Sequence, residues 1–200
     1  MFTIDKILIA FVLATAAIPG STQTIRLRGT IESLDKSGLA LRLPDGTQAK
    51  LALAQNGTII AVVKASISDI KQGTFLGSAA LPQPDGSQRA LEVHIFPEEM
   101  RGTGEGHRLY APVPQGTMTN GATSESAVTG VEGSTITVRY KNGEKKIVIP
   151  PDVPIVRYIV GNASDLKPGS RFTVIAATKR PDGAYEASRI NVGRDGVVPQ

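Results

Sequence analysis

Leu39-Ala40-Leu41-Arg42-Leu43-Pro44-Asp45-Gly46 and Ile136-Thr137-Val138-Arg139-Tyr140-Lys141-Asn142-Gly143 are one pattern written twice, 97 residues apart. Each is an alternating run that ends in a turn signal. The match extends outward on both sides. Ser68-Asp69-Ile70-Lys71-Gln72-Gly73 corresponds to Ser164-Asp165-Leu166-Lys167-Pro168-Gly169, and Pro84-Asp85-Gly86 to Pro181-Asp182-Gly183. One residue of slip falls near Gly73 and Gly169. Three turn signals in one order at a near-constant offset predict an internal duplication.

Each copy reads as strands. Leu39, Leu41 and Leu43 alternate with small or polar residues, the period of two of a half-buried strand. Asp45-Gly46 and Asn142-Gly143 accept the positive φ that tight hairpins require. Gly29, inside the β-rich stretch Ile25 to Leu34, marks a bulge or sharp bend. Ser66 to Lys71 and Ala163 to Lys167 read as single helical turns, capped by Ser or Asn and closed by Gly. A last hairpin follows in each copy, with Phe75 and Phe172 in matching places that predict core filling.

Strand–strand–strand, helical turn, strand–strand is the order of an OB-type barrel. The expected fold is therefore all-β: two tandem OB-like barrels over residues 22–96 and 126–200, joined by a Gly-rich loop over 97–125. A module of this size is marginal alone, so the two are expected to pack together. The alternative is one continuous β-sandwich made from both halves.

Residues 1–21 read as a cleaved signal peptide. Lys6 is the short positive region, Ile7 to Ala14 the apolar stretch, and Ala14-Thr15-Ala16-Ala17 supplies small residues for cleavage. The apolar stretch is far shorter than the roughly 20 residues of a membrane span. The expected address is periplasmic or secreted. With no cysteine in the chain, disulfides, thiolate metal sites, thiol nucleophiles and a lipoprotein anchor are all excluded. The formal charge is +4, spread rather than clustered apart from Arg139, Lys141, Lys145 and Lys146, and there is no Trp. Base-stacking platforms are scarce, so a nucleic-acid partner is not expected.

Chemistry concentrates in 97–125. Gly102-Thr103-Gly104-Glu105-Gly106 lacks the Lys-Ser/Thr of a P-loop and no amphipathic helix follows it. His107 with Glu98, Glu99 or Glu105, joined by His94, is the one candidate metal set, its imidazole and carboxylate donors suiting zinc, copper or nickel. Alternation places His94 and Glu92 opposite Leu91, Val93 and Ile95, as surface residues. Arg101, His107, Arg108 and Tyr110 are the candidate partner-binding residues. There is no Gly-x-Ser-x-Gly elbow for nucleophilic catalysis, and no catalytic residue or cofactor is assigned.

The run Ala79 to His107, with Pro97-Glu98-Glu99-Met100-Arg101-Gly102-Thr103-Gly104-Glu105-Gly106-His107 at its end, resembles a family of uncharacterised exported proteobacterial proteins with OB-like β domains. So does Arg189-Ile190-Asn191-Val192-Gly193-Arg194-Asp195-Gly196. The resemblance implies an OB-like fold and a periplasmic address, and no activity. The description "metal transporter permease" sometimes given to such sequences does not fit, because a permease needs several long apolar spans. The expected function is a non-enzymatic binding or scaffold module with an envelope protein as partner. A metal-responsive accessory protein is the alternative, and a hydrolase of envelope material the third.

Overall fold

The computed structural model describes residues 24–125, 127–130 and 133–199. The expected leader, 1–21, lies outside them. Among the described residues the protein is all-β, and no helix is long and apolar enough to cross a membrane.

Five strands come from the first half: β1 (Thr24–Asp35), β2 (Gly38–Arg42), β3 (Gln48–Lys64), β4 (Phe75–Pro82) and β5 (Gln88–Ile95). The segment expected to be a loop supplies β6 (Gly106–Leu109) and β7 (Thr117–Thr123). The second half adds β8 (Val128–Gly130), β9 (Gly133–Tyr140), β10 (Gly143–Ile149), β11 (Ile155–Val160), β12 (Arg171–Lys179) and β13 (Tyr185–Gly193). Three Pro-Asp-Gly turns share one construction. Asp45, Asp85 and Asp182 each accept a backbone N–H two residues on, at 2.9–3.0 Å, and the following Gly has φ of 83–84°. The expected helical turns are 3-10 turns, Ile67–Asp69 and Ala163–Asp165. Asp69 and Asp165 reach back to the backbone N–H of Ser66 and Asn162 at 2.8 and 3.0 Å.

The strands close into two circuits of five. One is β1, β2 and β3 with β12 and β13; the other is β4, β5, β7, β9 and β10. Each circuit therefore takes strands from both halves. The repeat predicts closure within 22–96 and within 126–200, and the hydrogen bonds run otherwise: β1 pairs β12, and β4 pairs β7. β3 joins the circuits. Its 17 residues pair with β2 and β13 of the first circuit, and its second half also pairs antiparallel with β11, Val62 opposite Tyr158. The link over 65–74 then carries the chain to β4 on the other circuit.

Each circuit has its own core. Ile31, Leu41, Leu51, Phe172 and Ile190 fill the first, with Leu166 from the second 3-10 turn as a plug. Leu76, Val93, Ile136, Val138 and Ile147 fill the second, plugged by Ile70. A third cluster, including Val62, Phe75, Phe96, Val156, Tyr158 and Val197, lies where the circuits join. The expected equivalence of Phe75 and Phe172 is corrected here. Leu76 stands opposite Ile95 as Phe172 stands opposite Val192, whereas Phe75 turns outward into the junction.

Two glycines hold the circuits tight. A Cβ on Gly29 would sit 2.1 Å from the Arg42 carbonyl oxygen, and one on Gly121 would sit 2.1 Å from that of Arg139. Gly29 is thus a close backbone approach, with the register irregularities of β1 on either side of it.

β7 is where the sequence misleads most. Thr117, Met118, Thr119, Asn120 and Gly121 are all buried, without an alternating apolar face. Most of their polar atoms are met internally. Thr117 donates to Gln88 Oε1 at 2.7 Å, Asn120 Nδ2 donates to the Thr103 carbonyl at 2.9 Å, and the Thr119 hydroxyl lies 2.8 Å from His107 Nδ1.

A candidate binding cleft between the circuits

A cavity of about 540 Å³ opens where the circuits meet. β5 brings Glu92 and His94 to its wall, β7 brings Asn120, β11 Tyr158, β13 Arg189 and β1 Arg26. The segment 103–113 forms the remaining side, through Arg108 and Tyr110.

His94 sits on an aromatic bed. Its ring stacks on Tyr158 with centroids 5.4 Å apart and planes 5° from parallel, while Phe96 meets both edge-on. Gly77 makes the space, since a Cβ there would lie 2.2 Å from His94 Nε2 and 2.6 Å from Asn120 Oδ1. The expected surface position of His94 is therefore wrong. His94 is 8% exposed and Glu92 7%. Alternation along β5 assumed that one face meets water, but the junction covers that face too.

Two buried polar atoms on this wall have no partner, His94 Nδ1 and Asn120 Oδ1. The nearest carboxylate oxygen to His94 Nδ1, on Glu92, is 3.7 Å away, too far for a hydrogen bond. Orphaned buried atoms are costly. Burial, with the negative charge of Glu92 adding to it, pushes the Tyr158 hydroxyl up, so the phenol stays protonated as a donor. The cavity thus offers three guanidinium groups, one carboxylate, two phenols, an imidazole and an amide.

A second cavity of about 440 Å³ adjoins the first, sharing Arg26, Tyr110 and Pro112 with it. Arg28 and Arg171 line this outer part.

The candidate residues divide. His94, Arg108 and Tyr110 come together on the cleft. Glu98 and Arg101 pair with each other instead, and Arg101 also donates to the Gly73 carbonyl at 3.0 Å and lies over the Phe75 ring. Glu105 accepts the Lys141 backbone N–H at 2.9 Å, and Glu99 is exposed. His107 is held by Thr119 and lies near the Tyr140 ring; burial and the charge of Lys145 hold its imidazole below the usual range. The expected metal set is therefore dispersed, and no group of three or more potential ligands occurs among the described residues. Sequence reasoning missed Arg26, Asn120, Tyr158 and Arg189 as site residues. Only the junction brings them together, and no local spacing announces it. No family model, curated protein or solved structure matches the chain.

Proposed function

We propose that the protein is a non-enzymatic binding module of the cell envelope, and that the cleft between the circuits is its recognition site. One observation carries the reading: a cavity at the junction is lined by Arg26, Arg108 and Arg189 against a single carboxylate, Glu92. Its volume is in the range of small-ligand and side-chain pockets. Three arginines against one carboxylate select a ligand with net negative charge.

The circuits are OB-like in strand order and arose by duplication. Supporting this, the approach of Gly29 to Arg42 is repeated by Gly121 and Arg139, and both halves place a capped 3-10 turn before their last hairpin. The N-terminal 21 residues export the chain to the periplasm, where an envelope protein is the expected partner.

Photocrosslinking from position 110 in living cells of the source organism tests the site. A photoreactive residue replacing Tyr110 gives one dominant adduct, and Arg189→Ala in the same chain abolishes it. The same residue at Tyr140, away from the cleft, gives none. Equal crosslinking from both positions, or none from either, would overturn the reading.

A further inference from the structure

The arginines of this protein fall into two groups. Arg42, Arg101, Arg139, Arg157, Arg180 and Arg194 each pair with a carboxylate. Among the described residues the other six pair with none, and five of those six, Arg26, Arg28, Arg108, Arg171 and Arg189, line the two joined cavities. Arg108 donates to the Gly104 carbonyl at 2.7 Å, and Arg171 reaches only the Thr30 hydroxyl at 3.4 Å. Glu92 is the single carboxylate on either lining. Charge left unpaired in one place, and paired elsewhere, marks a track for an anionic chain.

The same walls carry apolar groups. Leu91 and Ile175 line the inner cavity, 38% and 54% exposed, and Val198 lines the outer at 49%. A polyphosphate or acidic glycan has nothing to cover them. An acidic polypeptide with apolar side chains does.

We infer that the joined cleft binds an acidic, partly apolar polypeptide segment, running from Arg189 and Arg108 past Arg26 to Arg28 and Arg171. This rests on the cleft being the recognition site and names what it recognises.

The test is fluorescence anisotropy of the purified protein with a labelled peptide of alternating Glu and Leu. The peptide binds, and more weakly as salt rises. Arg189→Ala and Arg171→Ala each weaken it about tenfold, the loss of one charge-assisted contact. Arg89→Ala, an unpaired arginine outside the cleft, leaves it unchanged. A peptide of alternating Lys and Leu does not bind, and a Glu homopolymer binds less tightly. Failure of the Glu–Leu peptide, equal binding of the homopolymer, or preferential binding of phosphatidylglycerol vesicles would overturn the inference. If Tyr110 crosslinks persist while the peptide fails, the recognition site stands and only its ligand class falls.

Discussion

His94 and Asn191 occupy matching places in the last strands of the two halves, yet one faces an open cavity and the other is sealed. Both are buried, and both have a side-chain atom without a partner. Beyond β13 the chain folds straight back. A Cβ on Gly193 would collide with the Val197 carbonyl, Val197 is buried in the junction, and the Thr173 hydroxyl donates to Pro199 at 2.9 Å. Thr173 is the cross-strand neighbour of Asn191, so the tail lies over that site. Beyond β5 the chain is longer. Met100 packs at the junction much as Val197 does, but the following segment stands off and leaves room above His94. One framework thus gives a plugged site and an open one, and what separates them is the segment that follows the last strand.

The comparison breaks hardest at its shared framework. Gly29→Ala and Gly121→Ala each drive a methyl group into a carbonyl oxygen that cannot yield. Overpacking of this kind costs about 1–3 kcal/mol or more. For a chain of this size that is a fall in Tm of roughly 5–10 °C. Because each circuit spans both halves, calorimetry shows one transition that either substitution lowers. Two transitions, only one of them moved, would mean that the halves fold separately.

Asn191→Leu sharpens the contrast. It removes an unsatisfied oxygen from the sealed site with a side chain of the same branched shape, so it stabilises by about 1 kcal/mol, a rise in Tm of roughly 2–4 °C. His94→Leu on the open side abolishes the Tyr110 crosslink. A fall in Tm with Asn191→Leu would show that a hidden partner satisfies that oxygen.

The smallest effect concerns the segment that makes the halves differ. The folded pKa of His107 lies below the ordinary value, so the unfolded chain binds the proton more readily. Its contribution to stability is full above about pH 6.5 and is lost as pH falls through the folded value. The lowered carboxylates, Asp69 and Asp165 among them, are already ionised in this window and do not mask it. Tm rises modestly from about pH 5 to 7, and His107→Gln flattens the rise. An unchanged profile would show that His107 titrates alike in both states.

Much of the fold was legible. The Pro-Asp-Gly turns, the Ser66 and Asn162 caps and the spans of β2, β4, β5, β12 and β13 follow from residue chemistry that acts locally. Strand exchange does not, because the same alternating pattern closes a barrel with its own hairpin or with another copy's. β7 stayed hidden because the Thr117 and Thr119 hydroxyls and the Asn120 amide nitrogen are satisfied through distant partners. For the site, Arg108 and Tyr110 were found because they fall in the anomalous segment. His94 was noticed and placed on the wrong side of its burial. Arg26, Arg189 and Tyr158 look like ordinary strand residues until the junction brings them together.

The central claim is that the halves exchange strands and that the cleft lies where the exchanged circuits meet. Thr24 and Thr178 are cross-strand partners in β1 and β12, and antiparallel partners have Cα separations of roughly 4.5–5.5 Å, within disulfide range. In a chain without native cysteine, Thr24→Cys with Thr178→Cys forms an intramolecular disulfide on air oxidation, read by mass and by thiol titration. If each half closed on itself, Thr24 would instead neighbour Leu81. A disulfide from Thr24→Cys with Leu81→Cys, and none from the Thr24 and Thr178 pair, would contradict the account.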